Sequence, residues 1–156
     1  MHKLAFLIVV LAACGSSRPA FDDKLVAPAA KGLKVGTSTL DDVTKAFPDA
    51  KVTKDKSLGG DGEVSFNNHK AVAVNAPSFD GYVVDGKLYQ FYLKAPGSCQ
   101  WLVSTMDGLK GSSNCPGNRK VGTSKDKSSG TYCASAGDKV IWIECNGDSL
   151  EYRVGE

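Results

Sequence analysis

The chain is 156 residues long and carries 19 Lys and Arg against 17 Asp and Glu, a formal net charge of +2. That length supports one domain with a proper core and is short for two. The near balance of charge gives no electrostatic reason to expect nucleic acid as a partner.

The chain opens with a short basic start, Met1-His2-Lys3, and an unbroken apolar run from Leu4 to Ala13. Basic start, apolar run and small residues are the order of a secretory signal peptide. A helix needs roughly twenty apolar residues to cross a bilayer, so this run is a signal and not a span. Leu11-Ala12-Ala13-Cys14-Gly15 resembles the lipobox of bacterial lipoproteins. The resemblance implies that residues 1–13 are removed and that Cys14 becomes the acylated N-terminus, bearing diacylglycerol and a palmitate-like chain. At ~0.8 kcal/mol per buried methylene, several acyl chains hold a protein firmly on a membrane. Gly15, where inner-membrane lipoproteins carry Asp, implies an outer-membrane location.

Residues 15–32 contain Ser16, Ser17, Pro19, Pro28 and scattered alanines without a sustained period. They read as a flexible tether that, with Cys14, makes a 14–32 segment holding the domain about 20 to 25 Å from the bilayer. The folded part is expected over 33–156, as a single α+β domain. Thr37 or Ser38 can cap a first helix with Asp41 and Asp42 in its first turn, Leu40, Val43 and Phe47 on one face, and Pro48 as its stop. Strand-like runs follow at Glu63–Phe66 and Ala71–Val74 around the loop Asn67-Asn68-His69-Lys70, and at Phe79–Val84 and Lys87–Lys94 around Asp85-Gly86. Asp-Gly between β-rich runs is a strong hairpin signal.

Pro96-Gly97 ends that sheet, and Ser98 caps a second helix to about Lys110, with Cys99, Leu102, Val103 and Met106 sharing a face. Residues 111–130 are polar, and Arg119, Lys120, Lys125 and Lys127 read as a solvated loop. Thr131–Ala136, Lys139–Cys145 and Ser149–Val154 form a closing meander. The expected architecture is an antiparallel sheet of about six to seven short strands with two helices on one face, in two halves that each run helix then strands.

Beyond Cys14 lie Cys99, Cys115, Cys133 and Cys145. Four cysteines in an exported chain read as two disulfides. They include no C-x-x-C pair and have no histidine among them, so no metal site is expected. A helix rising 1.5 Å per residue carries Cys115 away from Cys99, which disfavours that pair. Cys133 falls opposite Trp142 across a turn at Gly137-Asp138, not opposite Cys145. The expected pairing is therefore Cys99–Cys133 with Cys115–Cys145.

Gly36-Thr37-Ser38, followed by Asp41-Asp42-Val43 and Phe47, resembles the opening of the first helix in the BamE-like outer-membrane assembly lipoproteins and in the modules of β-lactamase inhibitory protein. Thr37 stands where those families have methionine, and Phe47-Pro48 replaces leucine and glycine. The resemblance implies helices on an antiparallel sheet and a binding role, and it carries over no binding residue.

Candidate chemistry is sparse. His69 falls in a hairpin loop, Asp22-Asp23 in the tether, and Asp41-Asp42 in a helix start where the macrodipole accounts for them. Gly59-Gly60-Asp61-Gly62-Glu63 lacks the Lys-Ser/Thr of a phosphate loop and the spaced ligands of a calcium loop, so it reads as a turn. Tyr82, Tyr89, Phe91, Tyr92, Trp101 and Trp142 are mostly core candidates. Strand alternation sets Tyr92 on the face opposite Tyr89 and Phe91, and one of those faces is a candidate binding surface. We expect a non-catalytic envelope lipoprotein that binds another protein or a cell-wall component, with no catalytic residue, cofactor, metal or nucleic acid. The alternatives are a small envelope hydrolase whose carboxylates assemble only on folding, and a surface-occupying inhibitor.

Overall fold

The computed structural model describes residues 21–53, 69, 71–108 and 121–155. Thr39, not Thr37 or Ser38, caps helix α1 (Leu40–Ala46). Its hydroxyl accepts the Asp42 N–H while the Asp42 carboxylate accepts the Thr39 N–H, which satisfies two orphan donors at once. The Val43 and Phe47 side chains are buried, and the helix ends before Pro48, whose ring cannot continue it.

The remaining elements are β1 (Lys51–Thr53), β2 (Ala71–Ala76), β3 (Phe79–Val84), β4 (Lys87–Lys94), α2 (Ser98–Gly108), β5 (Gly122–Thr123), β6 (Ser129–Ala136), β7 (Lys139–Asn146) and β8 (Ser149–Gly155). The class is α+β, as the patterning indicates. The sheet has eight strands among the described residues, all antiparallel, in the order β1-β2-β3-β4-β8-β7-β6-β5. That exceeds the expected six to seven because β1 and β5 are edge strands of three and two residues, too short to show alternation. The expected strand at Glu63–Phe66, most of its loop, and the turn at Gly59–Glu63 lie outside the described residues. Each half is a helix followed by a four-stranded meander, and the two meanders meet where β4 pairs with β8.

Hairpin geometry matches the turn chemistry. Asp85 and Gly86 both have positive φ, 48° and 79°, as a two-residue turn of the primed type requires. Just beyond it the β3–β4 register shifts, with Tyr82 opposite Gln90 but Val83 opposite Leu88. The unpaired residue is Tyr89, and this bulge lets both Leu88 and Tyr89 pack on the core.

The core lies between the helices and one sheet face. It includes Val43 and Phe47 from α1, Leu102 and Val103 from α2, and Phe79, Phe91, Ile141, Ile143, Leu150 and Tyr152 from the strands. Four rings form a ladder across the strands, Phe47–Phe79–Phe91–Tyr152, with successive centroids 4.4, 5.6 and 4.8 Å apart. Gly81 makes room for it, since a Cβ there would lie 2.7 Å from the Phe79 ring.

Two expectations are corrected. Residues 21–32 are not a tether. They form two 3-10 turns, Asp23–Leu25 and Pro28–Ala30, and bury Leu25, Ala27 and Ala30. Such turns are only three residues long and leave no periodic signature. Tyr152 pins them, its hydroxyl accepting the Ala27 N–H at 2.9 Å and donating to the Leu25 carbonyl at 2.6 Å. The folded unit therefore begins by Phe21, whose N–H donates to the Ser135 carbonyl, and not at residue 33. Residues 14–20 lie outside the described part.

The disulfide pairing is also different. Cys99 joins Cys145, with 5.0 Å between Cα atoms, so neither Cys99–Cys133 nor Cys115–Cys145 forms. This is one bridge between described residues where two were expected; Cys133 is itself disulfide-bonded, to a partner beyond them. The reason is strand parity. Cys133 does sit opposite Trp142, as anticipated, but that places it on the face away from α2, whereas Cys145 lies on the α2 face.

Candidate functional site

Because both helices pack on one side, the other sheet face carries no helix among the described residues. Strand pairing sets two rows of side chains across it. One runs Asn75, Asp80, Tyr92, Glu151, Glu144, Thr131, each residue directly opposite the next on the neighbouring strand. The other runs Ala73, Tyr82, Gln90, Arg153, Trp142, Cys133 in the same way. Members of the rows alternate at two-residue spacing along every strand, so both face the same way.

The β6–β7 end of this face is closed. Cys133, Val140 and Trp142 form a small second core with Val121 packed against it. Trp142 is only 7 % exposed, and its indole lies against Gly155, diagonal to it on β8, where any Cβ would overlap the ring. The Arg153 guanidinium stacks 5.3 Å from the Trp142 ring centroid and stands 3.8 Å from Glu144, within cation–π range.

The centre of the face is open. Tyr92 is 39 % exposed, one of two large apolar side chains so exposed among the described residues, the other being Val52 on edge strand β1. Gln90 is buried beside it, and its amide donates to the Glu151 carboxylate at 2.8 Å and to the Tyr92 hydroxyl. Tyr92 in turn donates to Glu151, and burial together with the Glu151 charge pushes its phenol up to about 12. Burial also raises the Glu151 carboxyl above its ordinary value. The Glu144 charge adds to that, while Arg153 and the bonds from Tyr92 and Gln90 oppose it.

Beside Tyr92 the surface dips into a cavity of about 390 Å³, lined by Tyr92, Thr131, Glu144, Asn146, Ser149 and Glu151 among others. Its floor is the Glu144–Glu151 cross-strand pair, a geometry in which β-carbons lie roughly 4.5–5.5 Å apart. Two facing carboxylates, that of Glu151 raised by burial, an exposed phenol and hydroxyl-bearing walls can bind a polar group of opposite charge or exchange a proton with one.

Of the residues singled out from sequence, Tyr92 belongs to this face, and Phe91 and Tyr89 belong to the core side. His69 is exposed on the rim of the Asp85 turn, its Nδ1 paired with the Asp85 carboxylate, well apart in the strand register from the Glu144–Glu151 pair. Cys14 and Cys115 lie outside the described residues. Among the described residues no three His, Cys, Asp or Glu side chains converge as a metal would need, and no helix is long and apolar enough to cross a membrane. Gln90, Glu144, Glu151 and Arg153 were not anticipated. The signal was present in the two-residue turn Gly147-Asp148, which sets Glu144 opposite Glu151. No protein-family model, curated protein or solved structure matches this chain, so the reading of the open face rests on its own residues.

Proposed function

We propose that the protein is an envelope lipoprotein, anchored through Cys14, that binds another protein with the open face of its sheet. The observation that carries this reading is Tyr92, exposed at the centre of a face that no helix covers among the described residues, and flanked by Gln90, Glu151 and Arg153. Tyrosine, tryptophan and arginine are the residue types that dominate binding energy at protein interfaces, and they do so near the interface centre. The resemblance to assembly and inhibitory modules points to the same general role.

Six residues separate Cys14 from Phe21, so even a fully extended connection would hold the domain within about 25 Å of the bilayer. A partner would then be met close to the membrane surface. Capture of partners from crosslinked cell envelopes tests the reading. The anchored protein should enrich a specific partner that Tyr92→Ala loses and that Cys14→Ser recovers poorly. No enrichment, or enrichment indifferent to Tyr92, would overturn it.

One observation favours a second reading, a small envelope hydrolase. Glu144 and Glu151 face each other, and burial keeps Glu151 protonated to higher pH than an ordinary carboxyl, the way a general acid is tuned beside a second carboxylate. Turnover of cell-wall glycan that is abolished in Glu151→Gln would establish it.

A further inference from the structure

We infer that the cavity on the open face is a subsite for a basic side chain, lysine or arginine, projecting from the protein partner. This deepens the protein-binding reading above and rests on it.

Charge complementarity selects the occupant. Among the described residues the lining supplies two carboxylates, Glu144 and Glu151, and no lysine or arginine. Arg153 approaches Glu144 from outside that lining and is stacked on Trp142. Gln90 and Tyr92 orient the Glu151 carboxylate from one side and Arg153 offsets part of its charge, yet burial and the neighbouring Glu144 charge still leave the carboxyl raised above its ordinary value. A cation entering the cavity would relieve what burial and the like charge leave uncompensated after Arg153, whereas an anion would worsen it.

The walls suit a long basic side chain. The exposed Tyr92 ring offers a π-face or an apolar strip for the methylene stem. Thr131, Asn146 and Ser149 offer acceptors for N–H groups that the carboxylates leave over. A volume of about 390 Å³ exceeds by roughly tenfold the 30 Å³ share of a single water, so a side chain fits with its nearest waters. A bare divalent ion is a poorer match, since only two carboxylates are present and it prefers six or more oxygens.

The test uses the mature protein and fluorescently labelled hexalysine, hexaarginine and hexaglutamate as probes, read by anisotropy at low and moderate salt. Both basic peptides should bind and the acidic one should not. The double variant Glu144→Gln/Glu151→Gln should bind the basic probes at least tenfold more weakly. A control of equal charge change at exposed remote positions, Asp49→Asn/Asp107→Asn, should bind as wild type does. Equal weakening in both double variants would show general attraction and overturn the inference, as would binding of hexaglutamate. The same variants in the envelope capture separate the two proposals. A partner lost with Tyr92→Ala but kept by the glutamine pair leaves the protein-binding reading standing and removes this one. Loss of hexalysine binding in the glutamine pair, with no partner captured by wild type, upholds the subsite and removes the reading.

Discussion

Tyr152 joins the first and last described segments of the chain through one hydroxyl, bonded to Ala27 and Leu25. Both bonds are buried, and burial pushes the phenol well above its usual range. Tyr152→Phe keeps the ring in its stack on Phe91 but strands a backbone N–H and a carbonyl. The expected cost is about 1–3 kcal/mol, measured by urea denaturation, with faster proteolysis within residues 21–32. Glu151 makes the opposite kind of prediction. Its folded-state carboxyl is raised, chiefly by burial, so the folded protein holds the proton more tightly than the unfolded chain. The group's favourable contribution is fully present below the unfolded value and is lost as pH rises through the raised one. Glu151→Gln should therefore melt higher than wild type at neutral pH, and the gap should close as pH falls below the ordinary carboxyl range. A gap that stays constant across a pH series of thermal melts would contradict the assignment. Neither residue announces its role in the sequence. Tyr152 depends on contacts across more than a hundred residues, and Glu151 depends on knowing which face of β8 turns away from α1 and α2.

At the scale of elements, legibility followed range. Both helices and six of the eight strands could be read from period and turn chemistry, because Asp85-Gly86, Gly137-Asp138 and the residues around Gly147 fix registers locally. The edge strands could not be read, and neither could the packed turns of residues 21–32, since two or three residues establish no period. The disulfide pairing is illegible in the sequence for a related reason. Choosing between Cys133 and Cys145 requires knowing which strand face α2 covers, and both sit on strands that are buried on both sides at that point. A non-reducing peptide map should return Cys99 with Cys145 and should place Cys133 in a second bridge. On the proposed acylation of Cys14, Cys115 is the cysteine expected in it. Replacing Cys99 and Cys145 together by alanine closes no 46-residue separation, and on the chain-entropy account it should cost roughly 4 kcal/mol in a denaturant titration.

At the scale of the molecule, the N-terminal segment is part of the fold. A soluble form beginning at Phe21 should be as stable as the full mature chain. One beginning at Leu33 loses Leu25, Ala27 and Ala30 from the core and leaves the Tyr152 hydroxyl without its partners. That truncation should cost at least about 3 kcal/mol, read as a lowered thermal midpoint. The open face should change little, since its rows are built from the strands alone.

The junction of the two meanders also orders events in time. β4 finds its outer neighbour only in β8, the last strand of the fold. A chain made N-terminus first would complete β1 to β4 while β4 still offers a bare edge, with Leu88, Phe91 and Leu93 on its apolar side. During that interval the β8 of a second molecule could bond to the waiting edge as well as the chain's own. The hydrogen bonds that close the monomer would then close an exchanged dimer instead, so crowding while the chain is being made is where this topology is most open to error.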